Sequence, residues 1–392
     1  MKVLICTDWY KPVINGVVTS VVNLAEGLQA QGAEVRILTL SPKATSYQEE
    51  NVIYIGSFSV NRIYPKARMS MIMTNRFIRE LIEWEPDVVH SQCEFSTFTI
   101  AKKIADDCAC PLVHTYHTVY EDFTHYFTSN RKIGKWLAEH FSRIMLRKAD
   151  YAIVPSRKIE IMLQGYKVKT PMSVIPSGLD LRKYDVLMTE KERNSMREKV
   201  GLKKDDIVLL FLGRMAYEKN IDELIRLIQK QSDPRVKLLL VGDGPYRGQL
   251  EEKVKKLNLT ERVIFTGMVP ADEVCRYYQL GDIFSSASRS ETQGLTFMEG
   301  MASGLPLLCR DDPCLAEVVV EGKNGMTYEN DEDFYEKFRY MTKDETRFRN
   351  MGVQARKMAY EKFSTEVFAK SVLKVYTDVI AAVAGNRYEH AS

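Results

Sequence analysis

Short runs of aliphatic and β-branched residues alternate with longer amphipathic stretches along the whole chain. Runs of this length are typical of strands buried inside a sheet, and the amphipathic stretches have helical periodicity. This alternation predicts βαβ units and parallel sheets. In the N-terminal half the predicted strands are KVLICT, EVRILTL, DVVHS, LVHTYH and YAIVPS, and the predicted helices span residues 16–31 and 94–107.

The alternation is interrupted at residues 171–181, which contain two prolines and a glycine, and it restarts from about Ser173. The strands predicted after the restart are VLLFLG, KLLLVGDG, VIFTG, IFSSAS and LPLLC. We therefore predict an α/β protein with two doubly wound, Rossmann-like domains facing a central cleft. The closing helical stretch at residues 364–384 fits two places, as a cap on the second domain or as a return to the first.

Composition narrows the class of protein. With 45% hydrophobic and 27% charged residues, the chain fits a soluble globular protein, and 392 residues exceed what one core usually serves. We expect no membrane span and no signal peptide, because the apolar run before Asp8 is too short. Seven scattered cysteines, with Cys108 and Cys110 as the one close pair, fit a reducing compartment. A net charge of +3 gives no reason to expect a nucleic-acid partner, so the expected location is cytoplasmic.

A first candidate motif, GRMAYEKN at residues 213–220, directly follows a predicted strand. The Arg214 guanidinium can hold a phosphate bidentately, and Lys219 adds a point charge five residues later. Together they suit a diphosphate leaving group. The alternative is that both are solvated residues at a strand-to-helix turn, where Glu218 is an ordinary surface partner for Lys219.

A second candidate motif, ETQGLTFME at residues 291–299, is predicted to lead from a loop into a helix over residues 295–303, with Gly304 as its stop. The amides of Gly294, Leu295 and Thr296 would then form an anion site at the helix start. Glu291 would contact sugar hydroxyls and Glu299 ribose hydroxyls. The alternative makes Glu291 a partner of the helix dipole and Glu299 an exposed helix residue.

Two weaker candidates lie in the N-terminal half. Asn15 and Gly16 form a turn between the first strand and the first helix, where a phosphate could approach, although an ordinary connection would look the same. His117 ends the strand LVHTYH, at the edge where ligands bind in this architecture, although a core or surface histidine is the alternative. The chain has no D-x-D motif near a strand end and no His/Cys cluster, so neither a metal nor a cofactor is expected.

Taken together, G-R-x4-K-N, E-x7-E, the N-G-V turn and His117 resemble the retaining glycosyltransferases of family four, which have the GT-B fold. The segment HTVYEDFTHYF at residues 117–127 further looks like the bacterial subgroup that glucosylates diacylglycerol. The chain departs from the family at Asn220, where many relatives have glycine. The resemblance implies that Arg214 and Lys219 hold the donor diphosphate, Glu291 the sugar, Glu299 the ribose, Gly16 lies near the diphosphate and His117 near the transferred sugar.

The resemblance also implies a reaction. A hexose, with UDP-glucose as the expected donor, would be transferred with retention by a front-face route in which the departing phosphate oxygen takes the acceptor's proton. Neither a metal nor a carboxylate nucleophile is implied. In this fold the last helix crosses back, which would assign residues 1–172 and about 372–392 to the first domain and residues 173–371 to the second.

Basic and apolar residues mix in two segments of the N-terminal half. Residues 62–79 contain five basic residues and no acidic one, and residues 131–148 contain six basic residues against Glu139. The second segment has apolar residues at helical spacing, which fits an interfacial helix on anionic lipid or a core-facing helix with a solvated basic face. We therefore expect a membrane lipid acceptor and a peripheral place at the inner face of the cell membrane. Alternatives are a soluble sugar or polysaccharide acceptor, or a non-catalytic sugar-nucleotide-binding partner.

Overall fold

In the computed structural model the chain divides into two compact units, Met1–Gly178 with Thr365–Ser392 and Leu179–Ser364. The structure describes residues 1–13, 15–60, 67–119 and 130–391, of which residues 131 and 386–391 are described by their backbone alone. None of the described helices is long and apolar enough to span a membrane.

The first unit is built on a sheet with the strand order β10-β9-β8-β7-β1-β2-β4-β3, in which every pair is parallel except β3 with β4. Its elements before the second unit are β1 (Lys2–Thr7), α1 (Gly16–Ala30), β2 (Glu34–Leu40), β3 (Tyr47–Glu49), β4 (Val52–Ile55), β5 (Phe58–Ser59), β6 (Arg68–Met69), α2 (Arg76–Glu83), β7 (Val88–Ser91), α3 (Ser96–Asp107), β8 (Leu112–Thr115), α4 (Arg131–Leu146), β9 (Tyr151–Val154), α5 (Arg157–Gly165) and β10 (Met172–Val174).

Successive side chains of β1 point to opposite faces of this sheet. Val3 and Ile5 pack with α1, whereas Leu4 and Cys6 pack with α2 and α3. Because helices cover both faces, β1 is apolar throughout, as the sequence pattern predicts. The five strands predicted in this half are present. The sequence reading missed the short strands β3 and β4, and it missed β10.

The second unit has a parallel sheet with the strand order β13-β12-β11-β14-β15-β16. All five strands predicted from its sequence are present. Its elements are α6 (Glu190–Lys199), β11 (Ile207–Leu212), α7 (Ile221–Lys230), β12 (Val236–Val241), α8 (Arg247–Lys256), β13 (Val263–Gly267), α9 (Val274–Tyr278), β14 (Ile283–Ser286), α10 (Leu295–Ala302), β15 (Leu307–Arg310), β16 (Gly325–Tyr328), α11 (Asp331–Thr342) and α12 (Glu345–Phe363).

The chain closes with α13 (Thr365–Ala391), which belongs to the first unit. Its side chains Phe368, Val372 and Tyr376 share a core with α1 and β1. A Cβ atom on Gly27 of α1 would lie 2.8 Å from the Cβ of Ala369, so only glycine allows the two helices to approach this closely. Of the two places open to this helix, the structure selects the return to the first unit.

The observed division differs from the predicted boundaries at both ends. The whole of α13 joins the first unit, so the second boundary lies at Thr365 instead of residue 372. The first unit also continues past residue 172, because β10 pairs with β9 and the Asn23 amide donates to the carbonyl of Gly178 over 2.7 Å. A three-residue edge strand is too short to leave a periodic signal, which is why the boundary was placed early.

Candidate active site

The strand order of the second unit brings its two motifs together. β11 lies between β12 and β14, with Leu210 beside Phe284, so the segments that follow β11 and β14 leave neighbouring strand ends. In doubly wound sheets ligands bind where the strand order diverges in this way. The segment with Arg214 and Lys219 follows β11, and the segment with Glu291 and α10 follows β14.

Lys219 and Glu291 form an ion pair across this point. The lysine Nζ donates to the Glu291 Oε1 over 2.6 Å, although the residues are 72 positions apart in the chain. Both side chains retain access to solvent, with 22% and 16% of their surface exposed. Lys219 is therefore only partly exposed and its partner is Glu291, so the alternative of a solvated lysine paired with Glu218 is wrong. An ammonium group and a carboxylate side by side suit a ligand that carries both phosphate and hydroxyl groups.

The backbone conformation of Asn220 explains why this residue can stand where many relatives have glycine. Its backbone is left-handed, with φ of 52°, a conformation open chiefly to glycine and to asparagine. Its side-chain amide donates to Glu223 over 2.9 Å and to the carbonyl of Ala287 over 3.3 Å. These bonds fix the turn that presents Lys219, so asparagine can replace glycine here.

Arg214 points its guanidinium to the solvent and donates to the carboxylate of Glu218. Glu218 is therefore the partner of Arg214 and not of Lys219, which corrects the sequence-based alternative. The Arg214 side chain is 61% exposed, and exposed pairs of this kind are weak, so the guanidinium can exchange Glu218 for an anionic ligand.

Two glycines bring the segments after β11 and β12 into contact beside Arg214. A Cβ atom on Gly242 would lie 2.1 Å from the carbonyl oxygen of Gly213, and one on Gly244 would lie 2.3 Å from that of Met215. The amide of Met215 also donates to the carbonyl of Asp243 over 2.9 Å. This close packing supports the segment after β11 that carries Arg214.

Helix α10 begins where the sequence predicts and ends at Ala302, one residue early. Gly294 precedes it with φ of +71°, and a Cβ atom there would lie 2.4 Å from the Phe297 ring. Both the backbone conformation and this ring therefore require glycine. The amide of Phe297 donates to the carbonyl of Gly294 over 3.0 Å, so the amides of Gly294, Leu295 and Thr296 precede this bond and suit an anion.

Glu299 is half-buried and held by tyrosines, so the alternative of an exposed helix residue is wrong. The Tyr278 hydroxyl donates to the Glu299 Oε2 over 2.6 Å, and the Tyr184 hydroxyl is near enough to influence the pKa of the same carboxyl. Burial raises the pKa of the Glu299 carboxyl, while the tyrosines and the charge of Lys183 oppose the rise. Sequence reasoning missed both tyrosines, because Tyr278 lies 13 residues before the motif and Tyr184 lies 107 residues before it.

In the first unit, Gly16 is the first residue of α1, which Asn15 caps by accepting from the amide of Val18 over 2.9 Å. His117 follows β8, and its Nε2 lies 2.8 Å from the Gln92 Oε1. Burial lowers the pKa of His117 to about 4; His114 adds to this effect and Glu94 opposes it. His117 is therefore neutral near pH 7 and can exchange hydrogen bonds with hydroxyl groups.

Two further histidines of this unit are core residues. His90 and His114 are completely buried, and the His90 ring lies 2.6 Å from the Tyr376 hydroxyl and 2.7 Å from the Thr115 hydroxyl. His125 and residues 120–127 of the segment that resembles the diacylglycerol subgroup lie outside the described residues.

Asp8 lies just after β1 and accepts a hydrogen bond at the start of helix α3. Its Oδ1 accepts from the amide of Thr97 over 2.9 Å, at the start of α3. Burial raises the pKa of Asp8 to about 6; the bonds from Thr97 oppose the rise and the charge of Glu94 adds to it.

The two basic segments, residues 131–148 and 62–79, each contain both exposed and buried or half-buried apolar side chains. In α4 the ring of Phe141 packs on Phe95 and Met145 is buried, but four apolar residues are exposed: Ile133, Trp136, Leu137 and Ile144. A helix that only faced the core would not expose these four side chains. In the other segment Met69 and Met71 are exposed, whereas Ile72 and Met73 pack against the core, and residues 62–66 lie outside the described part.

No group of three His, Cys, Asp or Glu residues in the described part of the chain is arranged to hold a metal. All seven cysteines are free thiols, including Cys108 and Cys110.

Comparison with known proteins gives matches over both units. The family models described as Glycosyltransferase Family 4 and Glycosyl transferases group 1 match residues 14–183 and 192–358. An alpha-monoglucosyldiacylglycerol synthase of Streptococcus pneumoniae is 34% identical over 85% of this chain and 76% of its own length. The synthase of the same name from Acholeplasma laidlawii is 31% identical over 97% of this chain and 98% of its own. HepE of Anabaena, solved in complex with UDP and glucose, has a TM-score of 0.72 at 16% identity, covering 96% of this chain and 100% of that one.

Proposed function

Because the chain belongs to glycosyltransferase family four and has the GT-B fold, we propose that it transfers glucose from UDP-glucose to diacylglycerol at a membrane surface. The observation that carries the proposal is the identity, along most of the chain, to two alpha-monoglucosyldiacylglycerol synthases. Transfer to a lipid is the part of the function that their names support. The nucleotide, the stereochemistry and the membrane surface are argued from the residues below.

The donor half rests on the ion pair in the second unit. Lys219, Arg214 and the amides at the start of α10 can hold a diphosphate, and Glu291 can accept hydrogen bonds from glucose hydroxyls. Glu299 is placed for the ribose. The presence of both cations and both carboxylates in one chain favours an enzyme over a non-catalytic binding partner.

We propose a retaining, metal-independent front-face route. A double displacement would need a free carboxylate beneath the sugar, whereas Glu291 is bound to Lys219 at 2.6 Å and is a poor nucleophile in that state. The departing phosphate oxygen would take the proton of the acceptor hydroxyl as the glycosidic bond forms. Lys219, Arg214 and the helix amides would stabilise the negative charge that develops on this leaving group.

The acceptor half rests on α4. Its exposed Ile133, Trp136, Leu137 and Ile144 lie on a helix that also carries lysines and arginines. Apolar side chains can enter the interface of a bilayer while basic residues attract anionic headgroups. We therefore propose that the enzyme acts at the cytoplasmic face of the cell membrane.

The test incubates the full chain with radiolabelled UDP-glucose and a panel of acceptors, namely diacylglycerol in mixed micelles, soluble sugars and polysaccharides. We expect labelled glucosyldiacylglycerol whose anomeric proton coupling in NMR is that of an α-glycoside. Transfer only to a soluble sugar or polysaccharide would contradict the proposed acceptor. A β-glycoside would contradict retention. Binding of UDP without transfer to any acceptor would contradict the enzyme assignment.

A further inference from the structure

Two polar side chains of the first unit are buried next to each other, and three of their polar atoms have no hydrogen-bond partner among the described residues. Glu94, between β7 and α3, is 5% exposed, and His114 of β8 is 0% exposed. The Glu94 Oε1 and the His114 Nε2 lie 3.5 Å apart. Within the described residues, neither this oxygen nor either ring nitrogen of His114 makes a hydrogen bond. Buried polar groups in folded proteins are nearly always bonded, so this pair calls for an explanation.

Three neighbouring polar side chains at the same strand ends have partners. Asp8 accepts from the amide of Thr97, the Cys93 thiol lies 3.6 Å from the Thr7 hydroxyl, and the His117 ring bonds Gln92. The Thr97 hydroxyl is buried without a hydrogen bond among the described residues, as are atoms of Glu94 and His114. Of these three side chains, Glu94 and His114 are the two that are ionisable.

The pair has the chemistry to bind a hydroxyl group. A hydroxyl has one donor and two acceptor sites, so it can accept from a ring N–H of His114 and donate to the Glu94 carboxylate while the acceptor binds. Its proton passes to the departing phosphate oxygen only as the glycosidic bond forms, so Glu94 is a positioning residue and not the base.

The position of the pair also favours a ligand. In the sheet of the first unit β1 lies between β2 and β7, so the strand order diverges beside β7, and ligands of doubly wound sheets bind at such points. Glu94 follows the carboxyl end of β7. Its charge also reaches His117, the histidine expected near the transferred sugar.

An apolar surface begins directly beside Glu94. The next residue, Phe95, is 55% exposed and stacks on Phe141 of α4, with their ring centroids 6.0 Å apart. Helix α4 carries the exposed apolar residues described above. A ligand bound here would meet a hydroxyl-binding pair at one end and aromatic surface at the other.

We propose that Glu94 and His114 bind the hydroxyl group of the acceptor alcohol, with Phe95 in contact with its apolar portion. The inference rests on the proposed function, because it takes the acceptor to be a lipid alcohol. It adds a specific place for that acceptor on the first unit, apart from the donor residues of the second unit.

The test compares Glu94→Gln with the wild type in mixed micelles, with diacylglycerol varied at saturating UDP-glucose. Glutamine keeps the shape of the side chain but removes the charge that strengthens the bond. We expect kcat/KM for diacylglycerol to fall about 10- to 100-fold, the range for losing a charge-assisted hydrogen bond. The affinity for UDP should stay within about twofold of wild type, since the residues of the second unit are unchanged.

Asp106→Asn is the matched control, because it removes a carboxylate from α3 whose partner is the exposed Lys102. It should leave both acceptor and donor constants unchanged. Phe95→Ala should weaken transfer to long-chain diacylglycerol more than transfer to a short-chain, water-soluble diacylglycerol. This difference would locate the apolar portion of the acceptor.

Three results would overturn the inference. The first is a Glu94→Gln enzyme with normal acceptor kinetics, whether or not its melting temperature falls. The pair would then be a structural water site. Another is an equal loss in UDP affinity and in acceptor kinetics. The third is an effect of the same size in Asp106→Asn. A wild-type enzyme that hydrolyses UDP-glucose but never glucosylates diacylglycerol would instead contradict the proposed function.

Discussion

At the scale of single residues, the proposed donor site depends on which partner each charged side chain has. Lys219 is committed to Glu291 in a partly buried pair, whereas Arg214 has only an exposed contact with Glu218. An exposed pair adds little stability, so losing the Arg214 guanidinium should cost activity far more than folding.

Replacing Arg214 with alanine should therefore lower kcat about 100- to 1,000-fold, the usual cost of removing one preorganised group that stabilises a developing anion. Steady-state transfer assays measure this, and the melting temperature should change little. Glu218→Gln is the control, since it frees the guanidinium without removing it and should leave kcat within a few-fold. Near-normal transfer by Arg214→Ala would refute the role of this residue.

Tyr278 should tune the binding of the nucleotide through Glu299. Tyr278→Phe removes the hydroxyl that lies 2.6 Å from the Glu299 carboxylate, so the carboxylate loses this phenolic donor. We expect KM for UDP-glucose to rise about 3- to 20-fold, with kcat nearly unchanged, from the loss of about 1 kcal/mol of positioning. The neighbouring Tyr277→Phe should change neither constant. A proportional fall in kcat would contradict a role confined to ground-state binding.

The low pKa of His117 predicts how stability depends on pH. The folded protein keeps this imidazole neutral down to about pH 4, whereas the unfolded chain protonates near pH 6.5. Protons therefore favour the unfolded chain in this window, and the free energy of unfolding should fall as the pH drops from 6.5 towards 4. The slope attributable to His117 is at most about 1.4 kcal/mol per pH unit.

Urea unfolding of the wild type and of His117→Asn at pH 5, 6 and 7 measures this contribution. The variant should lose less stability on acidification than the wild type does. Equal slopes would mean that His117 does not titrate between the two states.

At the scale of elements, α4 has the most direct functional prediction. Its four exposed apolar residues are expected to enter the interface of an anionic bilayer. Trp136→Glu should reduce sedimentation with vesicles that contain anionic phospholipid about tenfold, because it removes apolar area and adds like charge. Val353→Glu, a change at a comparably exposed apolar residue of α12, is the control and should bind like the wild type. No binding of the wild type to either anionic or neutral vesicles would favour a soluble acceptor.

The sequence predicted the main helices and strands better than it predicted the short edge strands. Central strands such as β1 and β11 are continuous apolar runs, so burial on both faces marks them clearly. Short edge elements such as β3 and β10 were missed, because three residues carry no measurable period. The start of α10 was correct because its signal is local, a glycine before the helix and another after it.

At the scale of the whole molecule, the first unit is discontinuous, since α13 returns to it after the second unit. Gly27→Val would place a side chain where α1 meets Ala369 and the carbonyl of Thr365. We expect a loss of about 1–3 kcal/mol in the stability of the first unit, the usual cost of overpacking. Thermal unfolding measures it, and Gly165→Ala, where an added Cβ meets nothing within 4 Å, is the control. Unchanged melting of Gly27→Val would show that α13 can shift without cost.

The sequence by itself determined the central strands, the two motifs and the types of charge that they carry, because these follow from periodicity and from side-chain chemistry over a few residues. Only the tertiary structure decided that β14 lies beside β11, which joins Lys219 to Glu291, and that α13 packs on α1. It also decided that Glu94 lies beside His114. Such pairings depend on strand order and long-range packing, and local propensity does not encode the distance between residues far apart in the chain.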